Sequence, residues 1–136
     1  MTETHRGRCF CGAVTFEIDT PIKWCVLCHC ESCRRQCSAP VTAFIGVDHN
    51  KWRWTGNRPK FRTSSPGVER SFCGDCGSPI SYRSENLSGF MNFHVAAMEQ
   101  PELFVPTRHV AVEERLPWYP IADDLAQGTG PSIPQD

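Results

Sequence analysis

Residues 13–18, AVTFEI, alternate apolar Val14, Phe16 and Ile18 with polar Thr15 and Glu17, a period of two that predicts a half-buried strand. The run VTAFIGV from Val41 is rich in β-branched residues and predicts another. Trp52 and Trp54 repeat the same-face spacing inside KWRWT. Residues 60–63 and Val68–Phe72 read as strands entering a turn at Cys73, and residues 80–83 as the strand leaving it. Residues 90–97 and 108–113 add two more. Helical signals are weak: a short helix over 31–36, and single turns over 101–104 and 123–127.

Many short strands divided by Gly, Pro, Asn and Ser turns predict a mainly β domain, mostly antiparallel. With 136 residues, the expectation is one domain over 1–127 and an irregular C-terminal tail over 128–136, GTGPSIPQD. The formal net charge of -1 argues against a nucleic-acid or acidic-membrane partner. No apolar run approaches the roughly 20 residues of a membrane span. The start, MTETHRGRCFCG, lacks the features of a secretory signal, so the expected location is cytoplasmic.

Nine cysteines change this picture. An odd count at short spacings favours metal binding over a disulfide scaffold. Cys73-x2-Cys76 lies in FCGDCGS, where Gly74 and Gly77 permit the tight turn of a zinc knuckle. Such a pair is half of a closed site. Cys9 and Cys11 in CFCG are the natural complement, with a buried core role as their blander reading.

The segment WCVLCHCESCRRQC is denser still. Cys28, Cys30 and Cys33 can meet on one metal and leave a fourth position open, the arrangement of catalytic zinc. Cys25 has the spacing to close that position, which would make the site structural. His29 is expected to point away from a metal shared by its neighbours. Cys37 reads as a small buried hydrophobe or a sulfur packed behind the ligands. Arg34 and Arg35 suit an anionic thiol, or simply solvent. Trp52, Trp54, Phe93 and Trp118 are candidates for core or for pocket wall. No GxSxG, GxGxxG or P-loop is present.

GRCFCGAVTFE, CHCESCRRQ, FCGDCGSPI and PELFVPTRHV leading to LPWYPIADD together resemble the glutathione-dependent formaldehyde-activating enzyme family, or CENP-V/GFA domain, over residues 7 to about 124. The resemblance implies an Mss4-like fold of several coiled antiparallel β-sheets around structural zinc. It implies that Cys9, Cys11, Cys73 and Cys76 share that zinc, and that Cys28, Cys30 and Cys33 hold a second, catalytic zinc. It implies carbon-sulfur lyase activity of the S-(hydroxymethyl)glutathione synthase type, with glutathione or another small thiol and a small aldehyde as partners. Cys25 and Cys37 fall outside the family's usual ligands. Two readings compete with the enzyme: a non-enzymatic zinc-binding interaction domain and a thiol-binding protein. Homo-oligomer formation is left open.

Overall fold

The computed structural model describes residues 2–130. Two open sheets carry the chain. The smaller has the order β1-β2-β5, from β1 (Thr4–Arg8), β2 (Thr15–Asp19) and β5 (Trp52–Trp54). The larger holds β3 (Trp24–Cys28), β4 (Thr42–Asp48), β6 (Lys60–Ser65), β7 (Val68–Phe72), β8 (Pro79–Ser84), β9 (Phe90–His94), β10 (Arg108–Val110) and β11 (Ala126–Gln127). Its order is β11-β10-β3-β4-β9-β8-β7-β6.

The mainly β expectation holds, with a difference in topology. β10 runs parallel to both β3 and β11, so the larger sheet is mixed rather than antiparallel. The cause is the long return from β9, which crosses through 3-10 turns at Val95–Ala97 and Pro101–Leu103 before pairing. Neither sheet closes on itself, unlike the coiled sheets expected. The helical turn expected over 123–127 is instead a bend leading into β11, with the Asp123 carboxylate accepting from the Leu125 amide. The helix α1 spans Glu31–Cys37, as its sequence suggests. Residues 131–136 of the expected tail lie outside the described residues. Within its described part, the Gly128 amide donates to the His109 carbonyl and the Ala111 amide to the Gly130 carbonyl.

Strand alternation assigns the two faces of the larger sheet different work. Cys25, Ile45, Val47 and Phe93 face the smaller sheet and bury with Val14, Phe16 and Ile18. Phe16 stacks on Phe93 at 4.3 Å between ring centroids. Removing either ring to Ala would cost about 3–5 kcal/mol, so this stack is a main holder of the sandwich. Trp52 and Trp54 pack against the same core, whereas Trp118 is 68% exposed. Three of the four candidate wall residues are therefore core or packed on it, and none lines the cavity described below.

The opposite face carries Trp24, Val26, Cys28, Phe44 and Val110 as a second cluster. One register row crosses it: Trp24 opposes Gly46, which opposes Asn92, then Tyr82, then Arg70. Residues directly opposed across strands share a face, so this row gathers aromatic, amide and guanidinium groups on one surface.

Candidate metal and thiol centres

Cys9 follows β1 and Cys11 lies two residues on, in a turn where the Cys9 amide donates to the Val14 carbonyl at 3.0 Å. The β7–β8 connection makes a matching turn, with the Gly77 amide on the Cys73 carbonyl at 2.9 Å and Gly77 at φ +81°. Only glycine enters that region without strain. The two turns bring four sulfurs within 4.8 Å of one another. Tetrahedral zinc with sulfur at about 2.3 Å sets its ligands about 3.8 Å apart. The Cys9–Cys11 and Cys11–Cys73 Sγ separations of 3.6 and 3.8 Å fit that edge.

The backbone is also arranged for negative sulfur. The Val14 amide donates to Cys9 Sγ at 3.3 Å, and the Asp75 and Cys76 amides to Cys73 Sγ at 3.4 Å. The Ser78 hydroxyl lies 3.1 Å from Cys76 Sγ and helps hold that thiol down to about 5. Ser78 Oγ accepts in turn from the Phe10 amide, tying the two turns directly. Four thiols with amide donors suit zinc, and Cys9 and Cys73 also serve the core at 2% and 1% exposure.

The second centre forms where β3 ends and α1 begins. Cys30 is the N-cap of α1, its Sγ accepting from the Cys33 amide at 3.3 Å. Cys28, Cys30 and Cys33 present sulfurs within 4.8 Å of one another, with Cys28 and Cys33 at 3.7 Å. Hydrogen bonds from Cys28 and Cys33, with the Cys33 amide, favour the charged form of the Cys30 thiol. Again the donor set and spacing fit zinc.

Cys25 takes no part. Three residues before Cys28 on the same strand, it faces the opposite side and sits 4% exposed in the core. Burial raises its thiol to about 11. Among the described residues, the second cluster has three sulfurs and no fourth cysteine. Cys37, at the far end of α1, lies 3.8 Å from His94 Nε2 and outside both clusters.

A cavity of about 230 Å³ opens on these sulfurs, lined also by Val26, Phe44, Tyr82, Asn92 and Arg70. Arg34 and Arg35 do not line it. Arg34 binds the His29 and Glu114 carbonyls, and Arg35 pairs with Glu31 at 2.8 Å. The cation at the cavity is Arg70, 5% exposed, with Nη1 and Nη2 each 3.7 Å from Cys33 Sγ. Its guanidinium carbon lies 4.9 Å from the Tyr82 ring centroid, and Nε donates to Ser64 Oγ. No carboxylate pairs with it among the described residues. A buried cation requires a nearby anion, and the sulfur cluster is where that anion resides.

Arg70 and Asn92 are the residues sequence reasoning missed. Each leaves a signal: a charge at an inward strand position two residues before FCGDCG, and a lone amide inside the apolar run FMNFH.

Fold and site together define a two-sheet β protein with one cysteine cluster joining two turns at the rim of the core and another bordering a small cavity. The sequence model of the glutathione-dependent formaldehyde-activating enzyme matches residues 4–114, and the chain belongs to that family. An uncharacterized lyase of Schizosaccharomyces pombe is 34% identical over 84 residues, 60% of this chain and 59% of that protein's length. A solved Rhodobacter sphaeroides protein superposes with a TM-score of 0.59 at 20% identity, covering 69% of this chain and 87% of its own. That likeness speaks to the fold. No helix among the described residues is long and apolar enough to cross a membrane.

Proposed function

We propose that the protein is a zinc-dependent carbon-sulfur lyase that adds a small thiol, glutathione or a relative, to formaldehyde or a related small aldehyde, and catalyses the reverse. The observation that carries this reading is a cluster of three sulfurs at the edge of a cavity, with no fourth cysteine to close it. Cys28, Cys30 and Cys33 would hold the catalytic zinc, and Cys9, Cys11, Cys73 and Cys76 the structural one, within an Mss4-like fold. Held by Cys28, Cys30 and Cys33, such a zinc would lower the pKa of a thiol substrate.

The chain's own groups do the rest. Arg70 offsets the negative charge gathered by three thiolates and a fourth sulfur, which favours the ionised thiol near neutral pH. Val26, Phe44 and Val110 give apolar walls that hold the aldehyde against the sulfur and limit water. At about 230 Å³ the cavity is smaller than the roughly 300–1,000 Å³ of most ligand pockets. It suits a small aldehyde and the sulfur end of a thiol, leaving the remainder of a peptide such as glutathione outside.

The orientation of Cys25 weighs against the interaction-domain reading, because it removes the fourth thiolate that would close the site. The test is the rate of hemithioacetal formation and cleavage with zinc-loaded protein across several thiols, compared with the uncatalysed exchange. No rate above background with any thiol would end the lyase reading.

A further inference from the structure

Asn92 is 1% exposed, lies mid-strand on the cavity face, and lines the same cavity as Cys28, Cys30 and Cys33. Its two amide atoms have different circumstances. Trp24 Nε1 can only donate, so its 2.8 Å contact with Asn92 fixes Oδ1 toward the indole. Nδ2 is thereby turned the other way, buried and without a hydrogen-bond partner. Three strands build this lock. Trp24 lies over Gly46 to reach Asn92, and a Cβ at Gly46 would collide with the indole.

An unpaired buried amide is costly to the fold, and such a group calls for an explanation. The neighbouring walls Val26, Phe44 and Val110 offer no side-chain acceptor. Arg70 is committed to Cys33, Ser64 and Tyr82. Asn92 Nδ2 is therefore a buried donor at the cavity wall, held in place by the Trp24 bond and without a partner of its own.

We propose that Asn92 Nδ2 binds the substrate's oxygen: the carbonyl oxygen of the aldehyde, and the hydroxyl oxygen of the hemithioacetal made from it. This rests on the thiol-aldehyde reading of the same cavity. In the addition, a thiolate sulfur lone pair forms the C–S bond while the π pair of C=O moves onto oxygen. That oxygen takes a proton from water, matching the proton the thiol released to water. Negative charge grows on the oxygen, so a fixed donor favours the transition state over the carbonyl ground state. The donor also sets specificity, for sulfur compounds bearing an oxygen close to the sulfur-linked carbon.

The zinc-loaded, nitrogen-15-labelled protein tests this without turnover. The Asn92 side-chain amide signal, assigned by its loss in Asn92→Asp, is followed with two added thiols. One is 2-mercaptoethanol, the stable homologue of a hydroxymethyl thiol longer by one methylene; the other is 1-propanethiol, which lacks the oxygen. The expected result is a downfield proton shift with 2-mercaptoethanol alone, the Trp24 indole signal staying in place. No shift, or equal shifts with both, overturns the assignment.

Kinetics give a second arm. Asn92→Asp keeps an acceptor for Trp24 and can donate only while its carboxyl is protonated. The ratio of its kcat to the wild-type kcat is expected to fall as pH rises, reaching about 100-fold loss when the carboxylate is ionised. A ratio near one at every pH overturns the role of Asn92 and leaves the lyase reading intact. If the wild-type protein shows no rate above background, the lyase reading falls and the amide shift alone decides Asn92.

Discussion

His29 Nε2 lies 2.8 Å from His109 Nδ1, joining residues 80 positions apart at the edge between β3 and β10. His109 Nε2 lies 3.0 Å from the Asp123 carboxylate, which accepts its proton. His109 Nδ1 then accepts from His29 Nε2, and His29 Nδ1 remains a buried lone pair with no donor. The chain of three holds the loop between Cys28 and Cys30 from the side away from the sulfurs. His109→Ala leaves both His29 nitrogens unpaired in the interior. It is expected to lower stability by about 1–3 kcal/mol, read from urea denaturation, with a smaller loss for Asp123→Asn at the solvent side.

The two sulfur clusters should separate on substitution. Cys30→Ser is expected to lose one of two bound zinc ions per chain, by elemental analysis, while retaining the near-ultraviolet circular dichroism of the fold. Cys73→Ser removes a core residue and, on the zinc reading, a scaffold ligand together, so it should abolish cooperative unfolding. Cys25→Ala should keep both ions, because its side chain faces the core.

Arg70→Met tests the anion requirement. Without the guanidinium, the thiolates of Cys28, Cys30 and Cys33 repel one another with less compensation. Zinc affinity at the second cluster should fall about 10–100-fold in a chelator competition, while the first cluster is unchanged. Unaltered affinity would mean the cluster balances its charge without Arg70.

His94 gives a pH signature. Burial, then the nearby Arg70 charge, pushes its imidazole down to about 4, against about 6.5 in an unfolded chain. Between those values the unfolded chain binds a proton that the native protein refuses. Stability therefore falls as pH drops from about 6.5 toward 4, by about 1.4 kcal/mol per unit at full slope. His94→Gln should show a smaller loss of denaturation midpoint between pH 7 and 5 than the wild-type protein.

Gly46→Ala places a methyl group against the Trp24 indole. Such overpacking costs about 1–3 kcal/mol, and it should also alter Trp fluorescence by disturbing the Trp24–Asn92 bond.

What could be read from residues alone follows from how each element is buried. β2 was legible because one of its faces meets the core and the other does not. β1 was hidden: THRGR buries only Gly7, whose missing side chain makes room for the Phe16 ring. β3 was hidden for the reverse reason. Both of its faces are buried, and its cysteines serve different faces, so WCVLC reads as a ligand run rather than a strand. Sulfur spacing exposed both clusters, yet whether Cys25 joined one depended on strand parity. Arg70 and Asn92 reach the cavity through a register row across four strand pairs, which local pattern does not encode.

Placing the braced sulfurs on the core side and the open cavity on the other gives the larger sheet a modular logic. Residues two apart on one strand change the same surface; residues one apart change different ones. Lineages diverging from a common ancestor could therefore exchange Val26, Phe44, Val68 or Tyr82 and acquire new substrates while the inner scaffold stays as it was. For an engineer, the same alternation marks which positions to randomise and which to leave alone.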